Sequence, residues 1–129
     1  METKTTTING KQVTLCYCYA TEINYSTSTN GENASVFVQD TAKKLDALSK
    51  GDVTAQPDIK KCIYLVLAAA IAYSSSKGEE PPITADDFLF NDKPSELYEA
   101  LAQVIVLYSG FYKLMPSEQE KQKGSKGKN

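Results

Sequence analysis

The longest apolar run of the sequence, residues 62–73, restricts the possible folds of this chain more than any other feature. It contains no charged residue, so a helix through it is apolar on nearly every side. The run is well short of the roughly 20 residues that a helix needs to cross a bilayer. We therefore expect a buried helix surrounded by neighbouring elements, with Asp58 as its N-cap after Pro57, and no membrane association.

The N-terminal part of the sequence predicts a β-hairpin over residues 5–19. Asn9-Gly10 is a favoured pair for a two-residue type I′ turn, because both turn positions need positive φ. Such a turn places Ile8 opposite Lys11. An isolated hairpin is only marginally stable in water, so its apolar face must pack on helices or on another chain.

Two amphipathic helices are predicted from helical spacing and from their end signals. The first covers residues 34–50 and stops at Gly51, which suits the left-handed conformation at a helix end. The second is long, begins with Pro94 in its first turn and ends near Leu114.

Two shorter segments are less clearly helical. Residues 20–30 are rich in Ser and Thr, which disfavours a helix, although Asn30-Gly31 resembles a C-terminal cap and favours one. Residues 84–90 predict a single short turn of helix with a start like a capping box.

Together these elements predict an α+β fold that is mainly α. In it, an N-terminal β-hairpin packs on a small bundle of about four helices. Residues 1–115 are predicted to form one domain. Residues 116–129 have nothing apolar to bury and are predicted to be a disordered Lys-rich tail.

Two residue types that serve much of enzyme chemistry are absent from the sequence. It has no His, and all 14 of its basic residues are Lys, so it has no Arg. This excludes Ser-His and Cys-His nucleophile systems and arginine-based phosphate recognition. We predict a protein that is not an enzyme and has no cofactor. A small enzyme using carboxylates or lysines is the alternative that this composition leaves open.

The net charge limits the kinds of partner that this chain can attract, and the cysteines indicate the redox environment in which it acts. A net charge of −2 provides no general attraction to nucleic acid or to anionic membranes. Cys16, Cys18 and Cys62 cannot all pair within the chain, and residues 1–11 are too polar for a secretory signal. Both features predict a reducing, cytoplasmic setting. Without His, three thiols are too few for a closed zinc site, so we predict no metal site.

The last long helix carries the candidate partner-binding residues. Its aromatic and aliphatic side chains have two interpretations, core residues or a surface for another chain. Residues 104–108 (VIVLY) are apolar all around the helix, as is the run at 62–73, and a domain this small cannot easily hide both. We therefore predict a homo-oligomer or a protein-binding surface, with these residues on the binding face: Tyr98, Leu101, Ile105, Tyr108, Phe111 and Tyr112.

The segment INGKQVTL, residues 8–15, resembles the hairpin motif I-[ND]-G-K-x-[VY]-x-L of the tail assembly chaperones of long-tailed phages. The order of elements is similar as well: a hairpin, a short helix ending near a Gly, then amphipathic helices and a Lys- and Glu-rich end. The chain departs from that family at Ser26 to Thr29, where charged helix formers are usual.

The resemblance implies a non-enzymatic chaperone, encoded by a phage or prophage and acting in the bacterial cytoplasm. Such a protein binds the tape measure protein, or another tail protein, and keeps it soluble during tail assembly; self-association is common in the family. The alternatives are a structural virion protein such as a head-tail connector, or a generic protein-interaction adaptor.

Overall fold

A computed structural model describes residues 1–113, which begin with the β-hairpin that the sequence predicts. Strands β1 (Thr3–Ile8) and β2 (Lys11–Cys16) are antiparallel, and Ile8 pairs with Lys11 as expected. Asn9 and Gly10 have φ angles of 52° and 76°, which are the left-handed values of a type I′ turn. The turn and the register are therefore confirmed.

The hairpin ends at Cys16 and not at residue 19 as predicted, because the chain turns into a helix there. Cys18 precedes helix α1 (Tyr19–Ser28), and its N–H donates a hydrogen bond to the Thr21 hydroxyl at 3.2 Å. The same hydroxyl donates to the Cys16 carbonyl at 3.1 Å. These two bonds hold the start of α1 against the end of β2, so Tyr19 belongs to the helix.

The helical alternative for residues 20–30 is thus confirmed, and its predicted end signal works as expected. Asn30 and Gly31 have φ angles of 65° and 91°. The Gly31 N–H donates to the Ser26 carbonyl at 2.8 Å, which satisfies a carbonyl of the last turn. Helix α2 (Ala34–Ser49) follows.

Helix α3 (Ile59–Ser76) is the core helix that the apolar run predicts, and it contacts α1, β2 and the last helix. The Asp58 cap is confirmed, since its carboxylate accepts the Lys61 N–H at 3.2 Å. The buried alanines of α3 have small side chains, so α1 can come close to the α3 backbone. The Asn24 side-chain amide donates to the Ala68 carbonyl at 3.4 Å.

Helix α3 is longer than the apolar run because polar residues at both ends join it. With 18 residues and a mean hydropathy of 1.2, it is the one helix within residues 1–113 whose length and composition would allow it to cross a membrane. Half of it is buried inside the protein, and the core helix of a soluble protein meets the same criteria. Its length and composition are therefore weak evidence for a membrane span.

Two further helices complete the described residues, α4 (Asp86–Leu89) and α5 (Pro94–Lys113). The predicted class, α+β and mainly α, is confirmed, with five helices in residues 1–113 where about four were expected. The predicted tail, residues 116–129, lies outside the described residues. A shared core joins the hairpin, α2, α3 and α5, and its buried members include Ile8, Val13, Leu15, Val38, Leu65, Val66, Leu101 and Val104.

Two hydroxyls in this core, Tyr25 Oη and Thr41 Oγ1, have no hydrogen-bond partner among the described residues. Both side chains are fully buried. Leaving a buried hydroxyl unpaired costs about 1–3 kcal/mol. We therefore expect Thr41→Val and Tyr25→Phe each to raise the free energy of unfolding by about 1 kcal/mol, measured by urea denaturation.

Thr21→Val is the matched control, because Thr21 is also fully buried but its hydroxyl makes the two bonds at the start of α1. This change is expected to lower the free energy of unfolding by about 1–2 kcal/mol. If Thr41→Val destabilised the protein as much as Thr21→Val, the Thr41 hydroxyl would have to be hydrogen-bonded in solution, which would contradict its lack of a partner within residues 1–113.

Candidate partner-binding surfaces

The six residues predicted to bind a partner do not form one exposed face of α5. Leu101 is 0% exposed and lies in the core with Ala100, Val104 and Leu107. The prediction that Leu101 lies on the binding face is therefore wrong, because the hairpin and α3 pack against that side of the helix. The other five predicted residues are half-buried and pack against the core from its edge: Tyr98, Ile105, Tyr108, Phe111 and Tyr112.

Three of them form an aromatic cluster with tyrosines from the N-terminal part of the chain. The Tyr17 ring meets the Tyr108 ring edge to face at a centroid distance of 5.3 Å, and it lies 5.7 Å from Phe111. The Tyr19 ring meets the Phe111 ring edge to face at a centroid distance of 5.3 Å. Tyr112 packs against Tyr108 at 4.9 Å. The cluster joins the end of α5 to the junction between β2 and α1.

A carboxylate is part of this aromatic cluster. The hydroxyls of Tyr17 and Tyr112 donate to the same oxygen of Glu22, at 2.8 and 2.6 Å. Burial, and then the bond to Glu22, raise the pKa of both phenols. Both therefore remain protonated donors at neutral pH, and they tie the last turn of α5 to α1.

Tyr108 is fixed from the other side by α2. Its hydroxyl lies 2.6 Å from the Ser35 hydroxyl and accepts a hydrogen bond from the Gln39 side chain at 2.8 Å. Tyr108 and Tyr112 are thus largely engaged within the chain. Phe111 lies at the edge of the cluster, and its side chain has no polar atom that needs a hydrogen bond.

Beside Phe111 is an exposed apolar region, the α1–α5 surface, formed by Met1, Tyr19, Ile23 and Phe111. All of these except the half-buried Phe111 are exposed, Ile23 by 64%. Tyr19 and Ile23 are one turn apart on α1 and share a face. A pocket of about 310 Å³ opens here, and Glu2 is the one charged residue among its lining residues: Met1, Glu2, Tyr17, Cys18, Leu107, Gly110 and Phe111.

A second apolar region, the α3–α4 surface, consists of Ile59, Ile63, Tyr64, Leu89 and Phe90 and was missed by the sequence analysis. Phe90 is 84% exposed and Leu89 61%. Next to them is a pocket of about 350 Å³ with mostly apolar walls. The sequence signal was present in residues 88–90, since a single helical turn with three consecutive large apolar residues can direct only some of them to the core.

The position of α4 is fixed by Asp87, which is almost fully buried. Its carboxylate accepts hydrogen bonds from the Asn9 side chain and the Lys11 ammonium, each at 3.0 Å, and from the Thr84 N–H at 2.8 Å. The bonds from Asn9 and Thr84, together with Lys11, lower the pKa of Asp87 to about 2. The bond from the Thr84 N–H is the contact expected from the capping-box pattern of residues 84–90, whereas the bonds from Asn9 and Lys11 connect α4 to the hairpin.

A second carboxylate strengthens the same connection. Glu96, in the first turn of α5, accepts the Asn9 N–H at 2.8 Å and the Asn91 side-chain amide at 2.6 Å. The hairpin turn is therefore held by both α4 and α5. This connection supports one edge of the α3–α4 surface.

The cysteines form no reactive or metal-binding cluster within residues 1–113. All three are free, Cys16 and Cys62 are buried, and burial raises the pKa of both thiols to about 12. No three or more Cys, Asp or Glu side chains of the described residues lie close enough together to hold a metal ion. Cys16 and Cys62 occupy core positions, as small apolar side chains would.

In comparisons with known proteins, this chain matched no protein family model, no curated protein sequence and no solved structure.

Proposed function

We propose that this chain is a non-enzymatic tail assembly chaperone of a long-tailed phage or prophage. In this function it binds the tape measure protein in the bacterial cytoplasm and keeps that long helical chain soluble until the tail is built. The α1–α5 surface is the proposed binding site, and its exposed apolar side chains are the observation on which the proposal depends.

The shape and the composition of this surface suit the capture of a helix. Apolar side chains spaced one turn apart on a client helix fit a shallow pocket rimmed by aliphatic and aromatic residues. Here the pocket lies between Leu107 and Phe111 of α5 and the N-terminal residue Met1. Tyr17 and Cys18, which precede α1, also line the pocket, and Tyr19 of α1 packs against Phe111 beside it.

The aromatic cluster gives this surface a rigid base. Because Tyr17 and Tyr112 both donate to Glu22, the last turn of α5 is held in place before a client binds. A surface that is already ordered loses less conformational entropy on binding, which favours affinity. The resemblance of residues 8–15 to the hairpin motif of tail assembly chaperones supports the same function.

The test is co-expression of the full chain with the tape measure protein of the phage or prophage that encodes it. We expect the chain to raise the soluble fraction of the tape measure protein and to co-purify with it. Gly110→Leu should reduce this effect by about tenfold, because the new side chain fills the pocket. A Cβ at residue 110 would meet the Glu2 carboxylate at 2.5 Å, and that flexible side-chain end can move aside.

Gly110→Ala is the matched control, since it makes the same contact with Glu2 but leaves most of the pocket open. It should retain client binding, and alanine inside a helix should stabilise the fold by up to about 1 kcal/mol. Equal solubility of the tape measure protein with and without the chain would contradict the proposal. So would finding the chain in finished virions, which would indicate a structural component.

A further inference from the structure

The α3–α4 surface carries an exposed apolar projection. Helix α4 has only four residues, and it directs Phe88 into the core while Leu89 and Phe90 point outward. Phe90 is 84% exposed, and keeping such a large apolar area in contact with water is unfavourable in free energy for an isolated chain. Nothing in the packing of residues 1–113 requires a phenylalanine at this position, so its ring is free to contact another molecule.

A cavity lies directly beside this projection. The pocket of about 350 Å³ is lined by Ile59, Lys60, Ile63, Tyr64, Ala85 and Leu89. A second pocket of about 260 Å³ shares Ile59 and Ile63 with it and continues to Tyr98 on α5. Leu89 forms part of the wall of the larger pocket and Phe90 follows it in sequence. Projection and cavity are therefore neighbours on one face of the molecule.

The α3–α4 surface carries charges of both signs. The charged residues that line the pockets are both cationic, Lys60 in the larger one and Lys93 in the smaller. The projection is flanked in sequence by two exposed acids, Asp86 and Asp92. Asp86 directly follows Ala85 of the larger pocket, and Asp92 directly precedes Lys93 of the smaller one. The same apolar surface therefore carries lysines and carboxylates side by side, so it can pair with a second copy of itself with each cation facing an anion.

We propose that the α3–α4 surface binds the same surface of a second copy of this chain. Phe90 of each copy fills the larger pocket of the other, and Lys60 of each copy faces Asp86 of the other. Because projection and cavity share one face, each copy gives and receives the same contacts across a two-fold axis. Such an arrangement closes as a dimer and does not continue as a filament.

This inference does not depend on the proposed function, since the α1–α5 surface and the α3–α4 surface share no residue. Failure of the client test would leave the dimer in place, and failure of the dimer test would leave client binding in place. The two experiments also use different measurements, solubility of a client and the mass of the chain alone.

The test is sedimentation equilibrium of the full chain from micromolar to millimolar concentration. We expect a reversible dimer of the native chain, and Phe90→Ala should raise its dissociation constant at least about tenfold. Ile23→Ala is the control, an equally simple truncation of an exposed apolar residue on the α1–α5 surface, and it should leave the dissociation constant unchanged. At concentrations where the chain is monomeric, Phe90→Ala should not change the melting temperature, because Phe90 is 84% exposed.

Charge reversal tests the arrangement within the dimer. Lys60→Glu and Asp86→Lys should each weaken the dimer by a few-fold, as expected for charges at the rim of an interface. The double variant should recover most of the loss, because it restores opposite charges with the signs exchanged. A monomer at every concentration, or a dimer insensitive to Phe90→Ala, would overturn the inference. Additive weakening in the double variant would overturn the two-fold pairing.

Discussion

Replacing Leu101 with alanine is expected to lower the free energy of unfolding by about 3 kcal/mol. Leu101 is 0% exposed and packs in the core between the helices and the hairpin. Truncating a buried leucine loses both its burial and its packing contacts, because the surrounding atoms relax only partly into the cavity. The measurement is urea denaturation followed by circular dichroism, with the slope of the transition checked for constancy.

Leu89→Ala is the matched control for this prediction. It removes the same atoms from a leucine that is 61% exposed on α4, and it should change the free energy of unfolding by less than about 0.5 kcal/mol. The comparison also separates folding from partner binding. A Leu101→Ala protein that kept its full stability but lost client binding would restore Leu101 to the binding face and contradict the core assignment.

Leu101 and Phe111 illustrate what the helical pattern of α5 could and could not predict. Both lie on the apolar side of the helix, so their spacing indicated that side correctly. The pattern did not indicate which of them a neighbour covers. That depends on the hairpin and α3, which cover the middle of α5 and leave its end at the edge of the core.

Local end signals predicted most of the fold. Asn9-Gly10 set the turn, Asn30-Gly31 and Gly51 have the left-handed backbone that ends a helix, and Asp58 caps α3. Each of these signals acts within a few residues, through backbone geometry or, at Asp58, through a bond from the side chain to a nearby N–H, so no knowledge of tertiary contacts was needed. The misplaced end of β2 depends on Thr21 bonding back to Cys16, a side-chain bond that strand alternation does not reveal.

The connection between the hairpin turn and α4 could not be predicted in this way. The Asn9–Asp87 bond joins residues 78 positions apart, and the spacing of Asp87 from Thr84 indicates its capping contact but not its contact with the hairpin turn. The α3–α4 surface was missed for a related reason. Whether Phe90 faces the core depends on how the turn of α4 is rotated, and Asp87 fixes that rotation through its contacts with the hairpin.

Replacing Asp87 with alanine is expected to lower the free energy of unfolding by about 2 kcal/mol at neutral pH. The change removes a carboxylate that is 7% exposed and leaves three donors without their partner, on Asn9, Lys11 and Thr84. Lys11 is half-exposed and can regain water, which limits the loss. Asp86→Ala is the matched control. Asp86 is the exposed neighbour in the same helical turn, so its replacement should cost less than about 0.5 kcal/mol.

The pH dependence of stability gives a second and independent measurement of the Asp87 contacts. The folded-state pKa of about 2 lies below the ordinary value of 3.8, so the unfolded chain binds a proton more readily than the folded one. The contribution of Asp87 is therefore complete above about pH 4 and is lost as the pH falls toward 2. Asp87→Asn has no such titration, and its stability difference from the native chain should shrink over that range. A difference that stayed constant from neutral pH to pH 2 would mean that Asp87 is not held as an ionised acceptor, and the hairpin turn would then need another anchor on α4.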